Sequence, residues 1–366
     1  MTITPQSNEE EKYGWQLGAG RNEPILEPEL PIIDAHHHLF DRAAAPGRPP
    51  LKYLLDDYLL DATAGHKIIA SVYVEIHAFA RQTGPEVLRP LGEIEFANGI
   101  GAMAASGRYG ACHVCAGIVG HADFRWGDSI AELLDHALAA APDRFRGIRQ
   151  ITVWHPSEAP YKYITNRPPK DVMQSPGFRP AFQHLVKRNL SFDAAVFHNQ
   201  LQEIIDLADD FPDATIVLNH CGHAMLMELS EAEKGEEFLR WRRLMRELAR
   251  RPNVYCKVGG MGLLTWDFGL ELRRDVVGYR ELADLWRPWV QESIEAFGAD
   301  RCLMESNYPP DGRSAGFVPL WNALKHLTRN ASPAEKSALF HRNAARVYRL
   351  TLPADAMPGN VNFAKA

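Results

Sequence analysis

Two histidines one residue apart, His36 and His38, stand directly after a short apolar run, Pro31-Ile32-Ile33-Asp34-Ala35. Side chains alternate between the two faces of a strand, so on a strand His36 and His38 share one face and His37 takes the other. Two neighbouring imidazoles at a strand end can begin a metal site or a proton-transfer site. On spacing alone, three histidines in an exposed loop fit as well. The balance shifts because comparable residues end the later apolar runs. Glu75 and His77 end the second and Arg149 the fourth, with His155 just beyond; His198 follows the fifth. His220 ends the sixth, Lys257 the seventh, and Glu305 and Asn307 the eighth. Polar groups at seven of eight ends do not suit a packed interior, where burying a charge is costly.

The eight runs are 32–35, 68–76, 112–119, 147–154, 191–196, 215–219, 253–258 and 301–304. Amphipathic stretches at 130–140, 177–188, 200–209, 238–250, 282–296 and 319–328 lie between or after them. Strands alternating with helices predict a parallel sheet, fold class α/β. Eight such units predict a closed (β/α)8 TIM barrel, which would bring all the run ends to one rim. A doubly wound open sheet fits less well, because no GxGxxG follows the first run. The expected organisation is an N-terminal extension over 1–30, a single barrel over 31–350 and a C-terminal tail over 351–366. The extension is expected outside the barrel or across its floor. Long βα loops are expected after run one (40–53), run four (155–176), run six (220–237) and run seven (259–279). All four would stand at the face where barrel enzymes build their sites. The loop after run four holds five prolines together with Tyr161 and Tyr163, a candidate lid over a small substrate.

Composition removes several function classes. Hydrophobic residues make up 46% of the 366 and the formal charge is -6, so a large core is expected and a basic nucleic-acid-binding stripe is not. No window approaches the roughly 18 uninterrupted apolar residues of a membrane span. Met1 to Lys12 lacks the apolar core of a signal peptide, so a cytoplasmic location is expected. Cys112-His113-Val114-Cys115 has CxxC spacing without a second pair, and residues three apart on a strand face opposite sides. Apolar outer helices leave a homodimer open.

Taken together, Asp34-Ala35-His36-His37-His38, Phe145-Arg146-Gly147-Ile148-Arg149, Leu218-Asn219-His220-Cys221-Gly222, Asn253 to Gly260, and the closing His341-Arg342-Asn343-Ala344-Ala345-Arg346-Val347-Tyr348 occur in a telling order. The chain resembles the amidohydrolase superfamily from about Pro31 to Leu350, and within it the amidohydrolase-related (amidohydrolase 2) branch. It is most similar there to the lactonase group, metal-dependent hydrolases of TIM-barrel fold, with aromatic-acid decarboxylases as a neighbouring group. The resemblance implies His36, His38 and His220 as metal ligands, with His198 the nearest candidate for a fifth-strand histidine. Strand four carries no bridging lysine, which argues against a two-metal centre. The main departure is at strand eight, where the family's aspartate is replaced by Asn307 in Asn307-Tyr308-Pro309. An amide takes no proton from water and binds cations weakly. Glu305, two residues back on the same strand face, is the favoured replacement base, with Asp311 and Glu75 as further candidates. Against this stands Glu305 as a barrel-interior carboxylate paired with Lys257 or Arg149.

The chemistry expected is the hydrolytic opening of a cyclic ester, a lactone, on a small acidic substrate. His38, His220, Glu305 and Asn307 are the expected catalytic residues. Glu75, Arg149, His155, Lys257 and Tyr308 are expected to hold substrate, with Arg149 offering a fork to a carboxylate. One divalent ion, Zn2+ favoured, is expected on His36, His38, His198 and His220, and a metal-independent mechanism stays open. Two other readings remain: a non-oxidative decarboxylase of an aromatic or dienoic acid, and a catalytically silent barrel used for binding.

Overall fold

The computed structural model describes residues 16–43, 50–162, 164 and 167–353. The eight apolar runs become eight parallel strands: β1 (Pro31–His37), β2 (Lys67–Val74), β3 (His113–His121), β4 (Phe145–Ile151), β5 (Ser191–Ala195), β6 (Ile216–Leu218), β7 (Val254–Val258) and β8 (Cys302–Met304). They pair in sequence order. Runs without polar alternation are what a sheet buried on both faces requires. The sheet closes just beyond the end of β8. His37 and Tyr308 form a parallel bridge, Asn307 N–H donates to the His36 carbonyl at 2.9 Å, and His38 N–H donates to the Tyr308 carbonyl at 2.8 Å. Asp34 staples the same seam from below, accepting from Ser306 N–H (2.8 Å) and Ser306 Oγ (2.6 Å). The result is the expected (β/α)8 barrel.

The six amphipathic stretches are helical: α3 (Ile130–Ala140), α4 (Phe178–Lys187), α5 (Leu201–Asp210), α6 (Glu231–Leu248), α7 (Tyr279–Phe297) and α8 (Phe317–Leu327). Two further helices, α1 (Leu55–Ala62) and α2 (Leu91–Ala105), lie outside those stretches; α2 is rich in Gly and Ala on every side. Helix α6 begins seven residues before the periodic stretch at 238, because Ser230 and Glu233 cap it reciprocally. The loop after β6 is shortened accordingly. The connection after β1 is not a plain loop either: Phe40–Arg42 and Leu51–Tyr53 pair as an antiparallel ribbon.

One irregularity decides where the histidines point. Ile33 and Ala35 pack inside the barrel with Val72, Val74, Val119, Val217 and Leu303. Strict alternation from them would put His37 inside and His36 and His38 outside. The register of β1 against β2 slips between Asp34 and His37, a bulge that reverses the phase. His37 therefore lies in the outer layer against the rings of Tyr58 and Tyr73, while His36 and His38 turn inward. Below them Tyr348 from the closing helix plugs the barrel floor, its hydroxyl donating to Asp193 at 3.0 Å.

Residues 16–30 run outside the barrel along α8. Asn322 and Lys325 of that helix bind the backbone of Pro24, Leu26 and Glu27. Among the described residues no helix is long and apolar enough to cross a membrane, and all five cysteines are buried and unbridged.

Candidate active site

Above the apolar layer the barrel holds a compact polar cluster. His36 Nε2 and His38 Nε2 are 3.1 Å apart, and the His36 ring lies 4.7 Å from that of His220. All three imidazoles are buried, and burial, reinforced by Arg149 and, for His36 and His220, Lys257, holds them well below the ordinary histidine pKa. They are neutral, so each carries one lone pair whose place is set by its partners. His38 Nδ1 faces the Val74 carbonyl at 2.7 Å, so it carries the proton and Nε2 is bare. Two donor-only groups flank His36, Arg149 Nη1 at 3.3 Å from Nε2 and Lys257 Nζ at 3.2 Å from Nδ1, and a neutral ring accepts from only one of them. His36 Nδ1 also lies 3.0 Å from Glu305 Oε2, an atom without a hydrogen-bond partner. His220 Nδ1 lies 2.7 Å from Glu305 Oε1. When ionised, Glu305 accepts from His220 through Oε1 and turns the His220 Nε2 away from itself. Burial, against the pull of Lys257, pushes its own pKa up to about 8, so the ionised form that accepts from His220 gains weight as the pH rises through that value. Glu305 is wholly buried, so it orients His220 rather than meeting a substrate.

Asn307 has an equally defined orientation. Its Nδ2 donates to Asp311 Oδ1 at 2.7 Å, so its Oδ1 is the atom 3.3 Å from His38 Nε2. The Gly262 N–H takes the other Asp311 oxygen at 2.8 Å. His38 Nε2 and Asn307 Oδ1 therefore face each other as electron-pair donors, and His36 Nε2, 3.1 Å from His38 Nε2, joins them in the tautomer that carries its proton on Nδ1. That set fits a divalent cation, weakly, because it lacks a carboxylate and has the Arg149 guanidinium beside it. His36, His220 and Glu305 also lie close enough for an ion, but Lys257 Nζ, 3.2 Å from His36 Nδ1, already brings positive charge there.

The glycines after β7 make this packing feasible. A Cβ on Gly260 would stand 2.2 Å from His220 Nδ1, and one on Gly259 would stand 2.4 Å from the Glu305 carbonyl. Gly260 also has φ +67°, a region that costs other residues. Gly260→Ala is expected to displace His220 and lower kcat/KM by about 10²-fold. Steady-state kinetics on purified protein checks this. The turn carrying His220 is strained, with positive φ at His220, Cys221, Gly222 and His223 in succession.

A cavity of about 210 Å3 opens above the cluster. Its floor is His38, His220, Asn307 and Arg149, and its walls include Phe40, Leu51, Ile151, Val153, Leu263 and Leu264. His77, His223, Arg42 and Arg313 also line it, and among the described residues none of the lining is a carboxylate. Pro160 and Ile164 of the expected lid reach the cavity. Tyr161 instead bonds the His155 backbone, and Tyr163 lies outside the described residues.

The structure brings His36, His38, His220, Glu305, Asn307 and Arg149 together. It does not bring His198, whose Nε2 is 2.6 Å from Glu237 Oε2 and whose Nδ1 accepts the Met225 N–H. Tyr308 turns outward: its hydroxyl donates to the Ala315 carbonyl and its ring packs on Phe317. Lys257 lies below the cavity, fully buried and 2.7 Å from Asp193 Oδ2. Glu75 likewise meets Arg149, at 2.7 Å, rather than the cavity. Burial would raise its pKa, but Arg149, His77 and His121 outweigh that and hold it at about 2. His155 is half-buried against Phe197 and outside the lining. Sequence reasoning missed Arg42, Arg313, His223, Asp34 and Asp193. A carboxylate inside the apolar stretch Ser191-Phe192-Asp193-Ala194-Ala195 was a visible signal.

Comparison with known proteins bears on the family and the fold. A relative from Sinorhizobium fredii, the uncharacterized protein y4mH, is 34% identical over 338 residues, 88% of this chain and 99% of its own length. An L-fucono-1,5-lactonase of Burkholderia multivorans is 30% identical over 166 residues, so the chain matches about half of it: 45% of this chain and 53% of the relative. An amidohydrolase of B. multivorans solved with bound zinc has a similar fold, with TM-score 0.64 at 22% identity over 87% of this chain and 99% of that one. The model of a family described as amidohydrolase matches residues 33–350, covering every barrel strand but the first two residues of β1. On that match and on the histidine cluster that the barrel gathers, the chain belongs to the amidohydrolase family.

Proposed function

We propose that this chain hydrolyses a lactone bearing a carboxylate group. The observation that carries the reading is the His220–Glu305 pair (2.7 Å) at the floor of a cavity lined by Arg42, Arg149 and Arg313. The arginines suit an anionic substituent, and the apolar walls suit a single ring. The lactonase relative supports the choice of a cyclic ester. His220 Nε2 accepts a proton from the attacking water as it adds to the carbonyl carbon. Glu305 stabilises the imidazolium that forms, in the manner of a triad carboxylate. Arg149 offers N–H groups to the developing oxyanion. Collapse breaks the ring C–O bond, and the imidazolium returns its proton to the leaving alkoxide, giving the open hydroxy acid. A divalent cation held by His36, His38 and Asn307 would add Lewis-acid polarisation of the carbonyl and of the water.

The test is acid release, followed with a pH indicator, from γ- and δ-lactones with and without a ring carboxylate. Saturable turnover of the carboxylated members is expected. Arg42→Met or Arg313→Met is expected to raise KM for those members by about tenfold, one charge-assisted hydrogen bond. Silence across the panel, or equal turnover of neutral and carboxylated lactones, would remove the reading. Carbon dioxide in place of hydroxy acid would indicate a decarboxylase.

A further inference from the structure

A second group of donors lies on the other side of Arg149. Glu75, His77 and His121 each offer an atom, and these atoms lie within 4.8 Å of one another. Glu75 is fully buried. Its Oε1 is taken by Arg149 Nε at 2.7 Å, but its Oε2 has no hydrogen-bond partner and stands 3.4 Å from His77 Nε2. A buried carboxylate oxygen left in that condition is costly, and such an atom calls for an occupant. His121 Nδ1 faces the Arg149 carbonyl at 3.3 Å. A carbonyl only accepts, so Nδ1 carries the proton and Nε2 keeps its lone pair. His77 lines the substrate cavity, and the His77 and His121 rings meet with centroids 4.2 Å apart.

We propose that Glu75 Oε2, His77 and His121 Nε2 bind one divalent transition-metal ion of the zinc class, separate from the His36–His38–Asn307 point. Two imidazoles and a carboxylate are a usual three-ligand set for such ions, with a fourth position left open. His77 lines the cavity, so a fourth ligand would enter from there. Arg149 supplies the outer contacts that fix two ligands, through its carbonyl to His121 and its Nε to Glu75. The same guanidinium reaches His36 Nε2 at 3.3 Å, so it stands between the two points and no ligand is shared. Its charge weakens binding but leaves the ligand set intact.

The test uses the full chain, stripped with chelator and titrated with Co2+ by equilibrium dialysis and visible absorption. The His38→Ala variant removes the first point, and His36→Gln is a second such background if His38→Ala fails to fold. In either background one equivalent of Co2+ is expected to remain, with a d–d band. Adding His77→Asn or His121→Asn is expected to remove both the bound equivalent and the band. The proposal is overturned if the background variants take up no Co2+, or if uptake survives both second substitutions. Neither readout depends on lactone turnover, so this outcome and that of the lactone panel are independent.

Discussion

His220→Ala is expected to lower kcat/KM for lactone opening by about 10³-fold, within the range that a positioned general base contributes. Glu305→Gln should cost nearly as much although Glu305 never reaches the cavity. Its Oε1 holds the Nδ1 proton of His220 (2.7 Å), while Oε2, 3.0 Å from His36 Nδ1, has no hydrogen-bond partner. An amide accepts more weakly than a carboxylate and presents its N–H to His220 Nδ1 instead, which reverses that imidazole and removes its lone pair from the site. The combined variant should be no slower than the worse single one, because groups acting as a unit do not add. Additive losses, or a Glu305→Gln enzyme with wild-type kcat, would show that the carboxylate does not work through His220.

The second large effect concerns position 307, where the family's carboxylate is absent. Restoring it should harm this protein. In Asn307→Asp a carboxylate replaces the donor that Asp311 Oδ1 accepts at 2.7 Å, and Asp311, already pushed well above the ordinary carboxylate range by burial, meets a second acid. Two buried carboxyls at this distance cannot both ionise. The expected cost is about 2 kcal/mol or more in denaturant unfolding, the value of a charged hydrogen bond lost in a buried site, with activity falling as well. The exchange Asn307→Asp/Asp311→Asn should restore stability, since one amide again donates to one carboxylate and position 311 still accepts from the Gly262 N–H. That double variant should also bind Zn2+ more tightly than wild type, having gained a carboxylate ligand. A single Asn307→Asp protein with unchanged stability and higher turnover would instead mark residue 307 as a lost base.

Much of the barrel was legible because its strands are buried on both faces and read as unbroken apolar runs. The helices were legible where one side is polar, as in α3 and α4, and not in α2, whose small residues give no contrasting face. His36 and His38 were rightly paired, but alternation alone would have pointed them outward; a register slip between Asp34 and His37 rescued the pairing, and no residue type announces a bulge. His198 was mistaken for a partner because it follows a strand end, yet Glu237 of α6 claims it. Tyr308 follows Asn307 and so faces the other way. The cavity arginines were hidden for a different reason. Arg42 belongs to the ribbon after β1 and Arg313 to the turn after β8, and the placement of loop residues is set by tertiary packing that local spacing does not encode.

The most direct measurement is the tautomer of His220. Long-range 1H–15N spectra of protein labelled only at histidine, with His220 assigned by its loss in His220→Gln, distinguish a protonated ring nitrogen from a bare one. A proton on Nδ1 and a lone pair on Nε2 are expected, with the pattern reversed in Glu305→Gln. A proton on Nε2 in the wild-type protein would leave the cavity floor without its base and contradict the proposed hydrolysis.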